Sequence, residues 1–91
     1  MPLLTEEQIS TRIQSLDGWM IDDDSLCTTY EFEDFVHAIG FVCTLAFLAE
    51  KANHHPDIQI EWNKVSLTLS THSEGGLTEK DFMLAEQIEA L

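Results

Sequence analysis

Positive charge is what this sequence lacks most. Four lysines and arginines stand against 17 aspartates and glutamates in 91 residues, for a formal net charge of −13. A protein that holds nucleic acid displaces counterions with a basic footprint, and none is present. An anionic membrane surface is disfavoured on the same ground. Cysteine is almost as scarce. Cys27 and Cys43 are the whole complement, with no CxxC pair and no disulfide framework, so both read as reduced packing residues. The longest run free of charged residues and histidine, Ala38 to Ala49, has twelve residues, short of the roughly 20 that cross a bilayer. Met1-Pro2-Leu3-Leu4-Thr5-Glu6-Glu7 carries neither the basic start nor the apolar run of a signal peptide. Glycine is thin too: Gly75-Gly76 is a lone pair, not a phosphate-cradling loop, and no G-x-S-x-G elbow surrounds any serine. The expectation is a soluble, cytoplasmic, single domain over 1–91, with no nucleic acid and no membrane partner.

What is present is regular. Thr5-Glu6-Glu7-Gln8 reads as a capping box, followed by an apolar stripe of Ile9, Ile13 and Leu16, with Gly18 past the end. Trp19-Met20-Ile21 reads as a short strand. The acidic Asp22-Asp23-Asp24-Ser25 lacks the spacing of a calcium loop and reads as a solvated turn. Leu26 to Phe32 alternates as a half-buried strand paired back on the first. Glu33 or Asp34 can cap a helix over about 34–52, with one stripe of Phe35, Ile39, Val42, Ala46 and Ala49 and a second of Phe41, Leu45, Leu48 and Ala52. His37, near its start, has no companion in sequence and reads as a surface or core residue. Asp57–Trp62 and Val65–Thr71 read as a hairpin around Asn63-Lys64. That register sets Trp62 opposite Val65, Ile60 opposite Leu67 and Ile58 opposite Leu69, and, if continued, His55 opposite His72. Thr78 opens the last helix. The order α-β-β-α-β-β-α implies an α+β two-layer sandwich: a four-stranded antiparallel sheet with helices packed on one face.

The chemistry gathers around Glu50-Lys51-Ala52-Asn53-His54-His55-Pro56. The proline breaks regular structure just after two of the four histidines. His72 follows Ser66, Thr68 and Ser70 on the polar side of its strand, so it is not a core residue by pattern. Glu50 and His54 are four apart, on one face if the helix lasts that long, where a carboxylate can orient an imidazole. His54, His55 and His72 converging at one end of a sheet would supply proton donors and acceptors near neutrality for a small polar substrate. Three histidines with Glu50 or Asp81 could instead hold zinc, although the spacing matches neither H-E-x-x-H nor a Cys/His finger. Asp81, three after Thr78, can equally complete a capping box.

Taken together, Glu50, His54, His55, Pro56, Trp62, His72 and Asp81 follow in the order and spacing of the pterin-4a-carbinolamine dehydratases, and Gly18-Trp19 and Gly40-Phe41 fit as well. The chain strongly resembles that family over nearly its whole length. The resemblance implies dehydration of 4a-hydroxytetrahydrobiopterin to quinonoid dihydrobiopterin, recycling pterin for aromatic amino-acid hydroxylases, with no metal and no cofactor. It carries catalytic roles to His54, His55 and His72, with Glu50 holding His54. It carries substrate contacts to Pro56, Thr71, Ser73, Glu74 and Asp81, and Trp19 could pack against the planar ring. It implies a homodimer or homotetramer, and we expect the Phe41-Leu45-Leu48 stripe at the subunit contact. Animal members also act as coactivators, so a helix-mediated binding module with vestigial histidines is the alternative. Asn53 stands where many members carry Asp, and Trp62 where Tyr is commoner.

Overall fold

The computed structural model describes residues 2–91. The elements run α1 Glu6–Ile13, β1 Met20–Asp22, β2 Ser25–Glu31, α2 Phe35–Ala52, β3 Asp57–Glu61, β4 Lys64–Leu69, a 3-10 turn His72–Glu74, and α3 Glu79–Glu89. The sheet is antiparallel throughout in the order β1-β2-β4-β3. This is the expected α+β architecture. Both capping boxes form, Thr5 with Gln8 and Thr78 with Asp81, so local chemistry fixes where α1 and α3 begin.

The core lies between one sheet face and the helices. Leu26 from β2 meets Val65, Leu67 and Leu69 from β4, all fully buried, beneath Ala38 and Leu45 of α2 and Phe82, Leu84, Ala85 and Ile88 of α3. Each large side chain removed from water here contributes about 1.5–3 kcal/mol. The other sheet face carries Cys27, Thr29, Ser66 and Thr68, with Thr29 and Ser66 hydrogen-bonded across the strands at 3.0 Å.

The hairpin departs from the expected register. Ile60 pairs with Val65 and Ile58 with Leu67, and the turn is Trp62-Asn63 rather than Asn63-Lys64. Two contacts decide this: the Asn63 side-chain amide donates to the Phe32 carbonyl at 2.9 Å, and the Asn63 carbonyl accepts from the Phe32 N–H at 2.8 Å. Asn63 is thereby drawn inward, and Trp62 takes the left-handed position at φ 54, which costs a bulky residue about 1–2 kcal/mol. The slip is two residues, so every side chain keeps its face. β3 is nonetheless an exposed edge, with Ile58 and Ile60 over a third accessible. β4 also ends at Leu69, so His72 enters the 3-10 turn and no strand pairing sets it against His55.

A second correction concerns α2. Leu45 is fully buried, and Phe41 and Leu48 pack against the core. The stripe expected at a subunit contact therefore faces the protein's own interior. The most exposed apolar side chains of α2 are Val36 and Phe47, at 75% and 78%, with Phe35 at 52%; Cys43 lies between Val36 and Phe47 in sequence. By length and composition alone α2 could cross a membrane, since its 18 residues exceed the run counted from uncharged residues. In this fold it is the helix that closes one face of the sheet.

At the start of α2, Asp34 accepts hydrogen bonds from the His37 N–H at 2.8 Å and the His37 ring at 2.7 Å. The backbone bond, then the ring, lowers the Asp34 pKa. The hydrogen bond to Asp34, then its charge, raises that of His37. A raised folded pKa gives stability that is full below about pH 6.5 and lost as pH rises through the folded value. Asp34, being lowered, contributes above about pH 3.9 and loses it on acidification. Both groups are exposed, so the effect is small and salt-screened. Thermal melts of His37→Ala are expected to show a larger Tm loss at pH 6 than at pH 9. An equal loss at both would refute the pairing.

Candidate active site

The end of α2 aims the first histidine. Asn53 adopts a left-handed conformation, φ 51 and ψ 44, and the His54 N–H reaches back to the Ala49 carbonyl at 3.1 Å. This pattern ends a helix and swings the next residue off its axis, and asparagine tolerates it well. It gives Asn53 a backbone role. It also separates Glu50 from His54. Their four-residue spacing holds only while the helix continues, and it stops at Ala52.

His54 turns instead toward α3. Its Nε2 lies 2.5 Å from Asp81 Oδ1, with the His54 side chain 11% exposed and Asp81 fully buried. The other oxygen, Asp81 Oδ2, accepts from the Thr71 hydroxyl at 2.8 Å and the Thr78 N–H at 2.9 Å. A carboxylate only accepts, so the directions follow. Thr71 donates to Asp81, Thr78 donates its hydroxyl to Thr71 at 2.8 Å, and Thr78 accepts from the Lys80 N–H at 3.3 Å. Asp81 completes the capping box and also holds the histidine. The cap expected from the sequence forms, and the hold on His54, expected of Glu50, comes from the same carboxylate.

Glu50 finds the neighbouring ring. Its Oε2 lies 2.5 Å from His55 Nε2, in a setting far more exposed than that of His54. Pro56 is buried behind the pair. The 3-10 turn ends at Gly75, φ 76, and a bridge from Thr71 to Gly76 closes the loop. His72 is exposed at its start. His54, His55, Thr71, His72 and Ser73 share one open cleft of ≈ 280 Å³ with Asn53, Ser70 and Lys80. Lys80 was missed in the sequence. The signal available was its place beside Asp81 in the first turn of α3.

Four expected contacts do not line this cleft: Pro56 and Asp81 are buried, and Trp19 and Glu74 lie elsewhere. Trp19 is buried at 5% exposure, and its indole donates to Glu89 at 2.9 Å, sharing that carboxylate with Tyr30. Burial and the Glu89 hydrogen bond hold the Tyr30 hydroxyl well above its ordinary pKa. Trp19 is a core residue because its polar edge finds a partner while its rings lie in the core, edge-on to Tyr30. Glu74, at the far end of the 3-10 turn, does not line the cleft. Trp62, 69% exposed, tips the hairpin at the end of β3 away from the histidines.

Within the cleft, each of two histidines has one nitrogen engaged by a carboxylate, which leaves its Nδ1 to give or take a proton. Nothing in this geometry favours a metal centre. Among the described residues, three ligand atoms within 4.8 Å of one another occur at Glu33, Asp34 and His37, at the opposite end of α2. There Asp34 is already committed to the helix cap.

A family model described as pterin 4 alpha carbinolamine dehydratase matches residues 2–91. A Roseiflexus castenholzii protein provisionally named pterin-4-alpha-carbinolamine dehydratase is 49% identical over 89 residues, covering 98% of this chain and 96% of its own. A Nocardia farcinica protein of the same provisional name is also 49% identical, covering 98% and 94%. A solved structure from Brucella melitensis, described as a transcriptional coactivator/pterin dehydratase, superposes with a TM-score of 0.93 at 39% identity, covering 97% and 96%. The full-length match and the shared fold show that this chain belongs to the pterin 4 alpha carbinolamine dehydratase family.

Proposed function

We propose that the protein dehydrates a 4a-hydroxytetrahydropterin, of the class that includes 4a-hydroxytetrahydrobiopterin, to the quinonoid dihydropterin by histidine acid/base catalysis. The observation that carries the reading is the His54–Asp81 pair, a nearly buried imidazole held by a fully buried carboxylate at the wall of an open cleft.

The step balances with proton transfers alone. A protonated imidazole donates to the 4a-oxygen, the C4a–O bond breaks, and water leaves. The lone pair of the adjacent ring nitrogen forms the C4a=N bond, and that nitrogen's proton passes to a second imidazole. The acid ends one proton short and the base one proton ahead, and exchange with solvent restores both. No atom changes oxidation state through an external acceptor, so the chemistry requires neither metal nor cofactor. We assign His54 as the principal acid/base, positioned by Asp81. His72 and His55, the latter held by Glu50, serve the complementary transfer and the positioning of substrate. Ser73 contacts the pterin, and Pro56 fixes the turn behind it. The product feeds pterin recycling for an aromatic amino-acid hydroxylase.

The test is the dehydration of synthetic 4a-hydroxytetrahydropterin, followed by ultraviolet absorbance with chelator present. Acceleration that survives the chelator is expected. No acceleration by the wild type would remove the enzyme reading, and acceleration abolished by the chelator would replace it with a metal mechanism.

The exposed Val36–Phe47 face of α2 supports a second reading, an association surface for another copy in a homodimer or homotetramer, or for another protein in a coactivator-like module. Apolar side chains this exposed on a helix gain most by packing against a second helix. Phe47→Glu is expected to shift the protein toward monomer in sedimentation while leaving the fold intact. Leu45 is no probe of association, because a charge at that buried site unfolds the domain. An unchanged sedimentation profile for Phe47→Glu would place any assembly elsewhere.

A further inference from the structure

We infer that the site is built for a pterin whose side chain ends in an anion, held by Lys51 and Lys80 in a groove beside the histidine cleft. This rests on the pterin reading and names the substrate class within it.

The groove runs between α2 and α3. Its volume is ≈ 380 Å³, larger than that of the histidine cleft. Leu48, Ala52, Met83 and Leu84 form its apolar floor and walls, with Lys51 and Lys80 among its lining. Lys80 lines the histidine cleft as well. The two depressions therefore share a wall, and a ligand seated at His54 can extend past Lys80 into the groove.

Charge makes the placement informative. The chain has four basic residues against 17 acidic ones. Arg12 is committed to Glu79 and Glu86. Lys64 stands opposite both Glu31 and Glu61 in the sheet register. Lys51 and Lys80 make no ion pair with a carboxylate among the described residues. An anion approaching this molecule meets a repulsive field almost everywhere, and these two side chains are the local exception. An apolar floor followed by a cationic rim suits a substituent that is uncharged near the pterin and anionic at its tip. A carboxylate on an aryl-amide tail and a phosphate on a short polyol tail both meet that description.

Pterin fluorescence quenching supplies the test, with biopterin, dihydrofolate and dihydroneopterin phosphate as probes for wild type and Lys51→Gln. The wild type is expected to bind one or both anionic-tailed probes about five-fold more tightly than biopterin, an advantage in the range of two exposed charge contacts. That ratio should fall toward one in Lys51→Gln and in 0.5 M salt, to be set as roughly four times the ionic strength of ordinary buffer. The two anionic probes separate a carboxylate tail from a phosphate tail. Equal or weaker binding of both, or an advantage that persists in Lys51→Gln, would overturn the inference while biopterin binding keeps the pterin reading. Failure of all three probes to bind would overturn the pterin reading itself.

Discussion

His54→Ala is expected to lower kcat for pterin dehydration by about 10²–10⁴-fold, the usual worth of a positioned general acid/base. The domain should remain folded. His54 contributes little apolar burial, its backbone bond to Ala49 needs no side chain, and the vacated space opens to the cleft. Water can then enter and satisfy Asp81 Oδ1, which limits the loss of stability. KM should change much less than kcat if the neighbouring histidines that line the cleft also hold the pterin, as proposed. The corresponding change at His55, whose ring and carboxylate partner are both largely exposed, should have the smaller effect. Stopped-flow absorbance with matched circular dichroism spectra checks both points. A His54→Ala protein with wild-type kcat would transfer the principal role to His72 or His55.

Asp81→Asn is expected to be nearly as damaging to activity, for a different reason. The Thr78 backbone N–H and the Thr71 hydroxyl both point at Oδ2. The backbone donor cannot be reversed, so the amide oxygen of asparagine must occupy that side. The NH₂ group then faces His54 Nε2 and donates to it. Nε2 becomes an acceptor, and in the neutral ring the proton moves to Nδ1, the nitrogen that the cleft needs as a base. The result is a folded protein with the wrong tautomer, losing about 10²–10⁴-fold in kcat and about 1–3 kcal/mol of stability from the weakened buried network. ¹⁵N spectra of the His54 ring should show the exchange of protonated nitrogen directly, and thermal melts should show the smaller structural cost. An unchanged tautomer together with full activity would reduce Asp81 to a helix cap.

Thr71 and Thr78 sit behind this carboxylate, and their placement shows how the site was and was not legible. The resemblance named Thr71 as a substrate contact. Its hydroxyl is committed to Asp81, so it acts on His54 through that carboxylate. Glu50 was matched to His54 on helical spacing. The spacing was sound, but the helix ends two residues before it could apply, and the left-handed Asn53 turns the chain so that Glu50 meets His55. The Phe41-Leu45-Leu48 stripe of α2, expected at a subunit contact, faces the core together with Ala49 and Val42. Helical periodicity gives two faces without saying which one the sheet will cover, and only the packing of Leu45 against the sheet resolves that. The hairpin register slipped by two because the side chain of Asn63 binds Phe32, 31 residues away.

The sequence by itself determined the element order, both capping boxes, the alternation that puts Leu26, Val65, Leu67 and Leu69 on one face, and the excess of negative charge. All of these rest on interactions within a few residues or on composition. The tertiary structure alone decided which carboxylate holds which histidine, the direction of the Thr78–Thr71–Asp81 hydrogen bonds, the exposed face of α2 and the convergence of Lys51 and Lys80. Each joins segments separated in the chain, where local propensity has no influence and the position of one helix against another sets every distance.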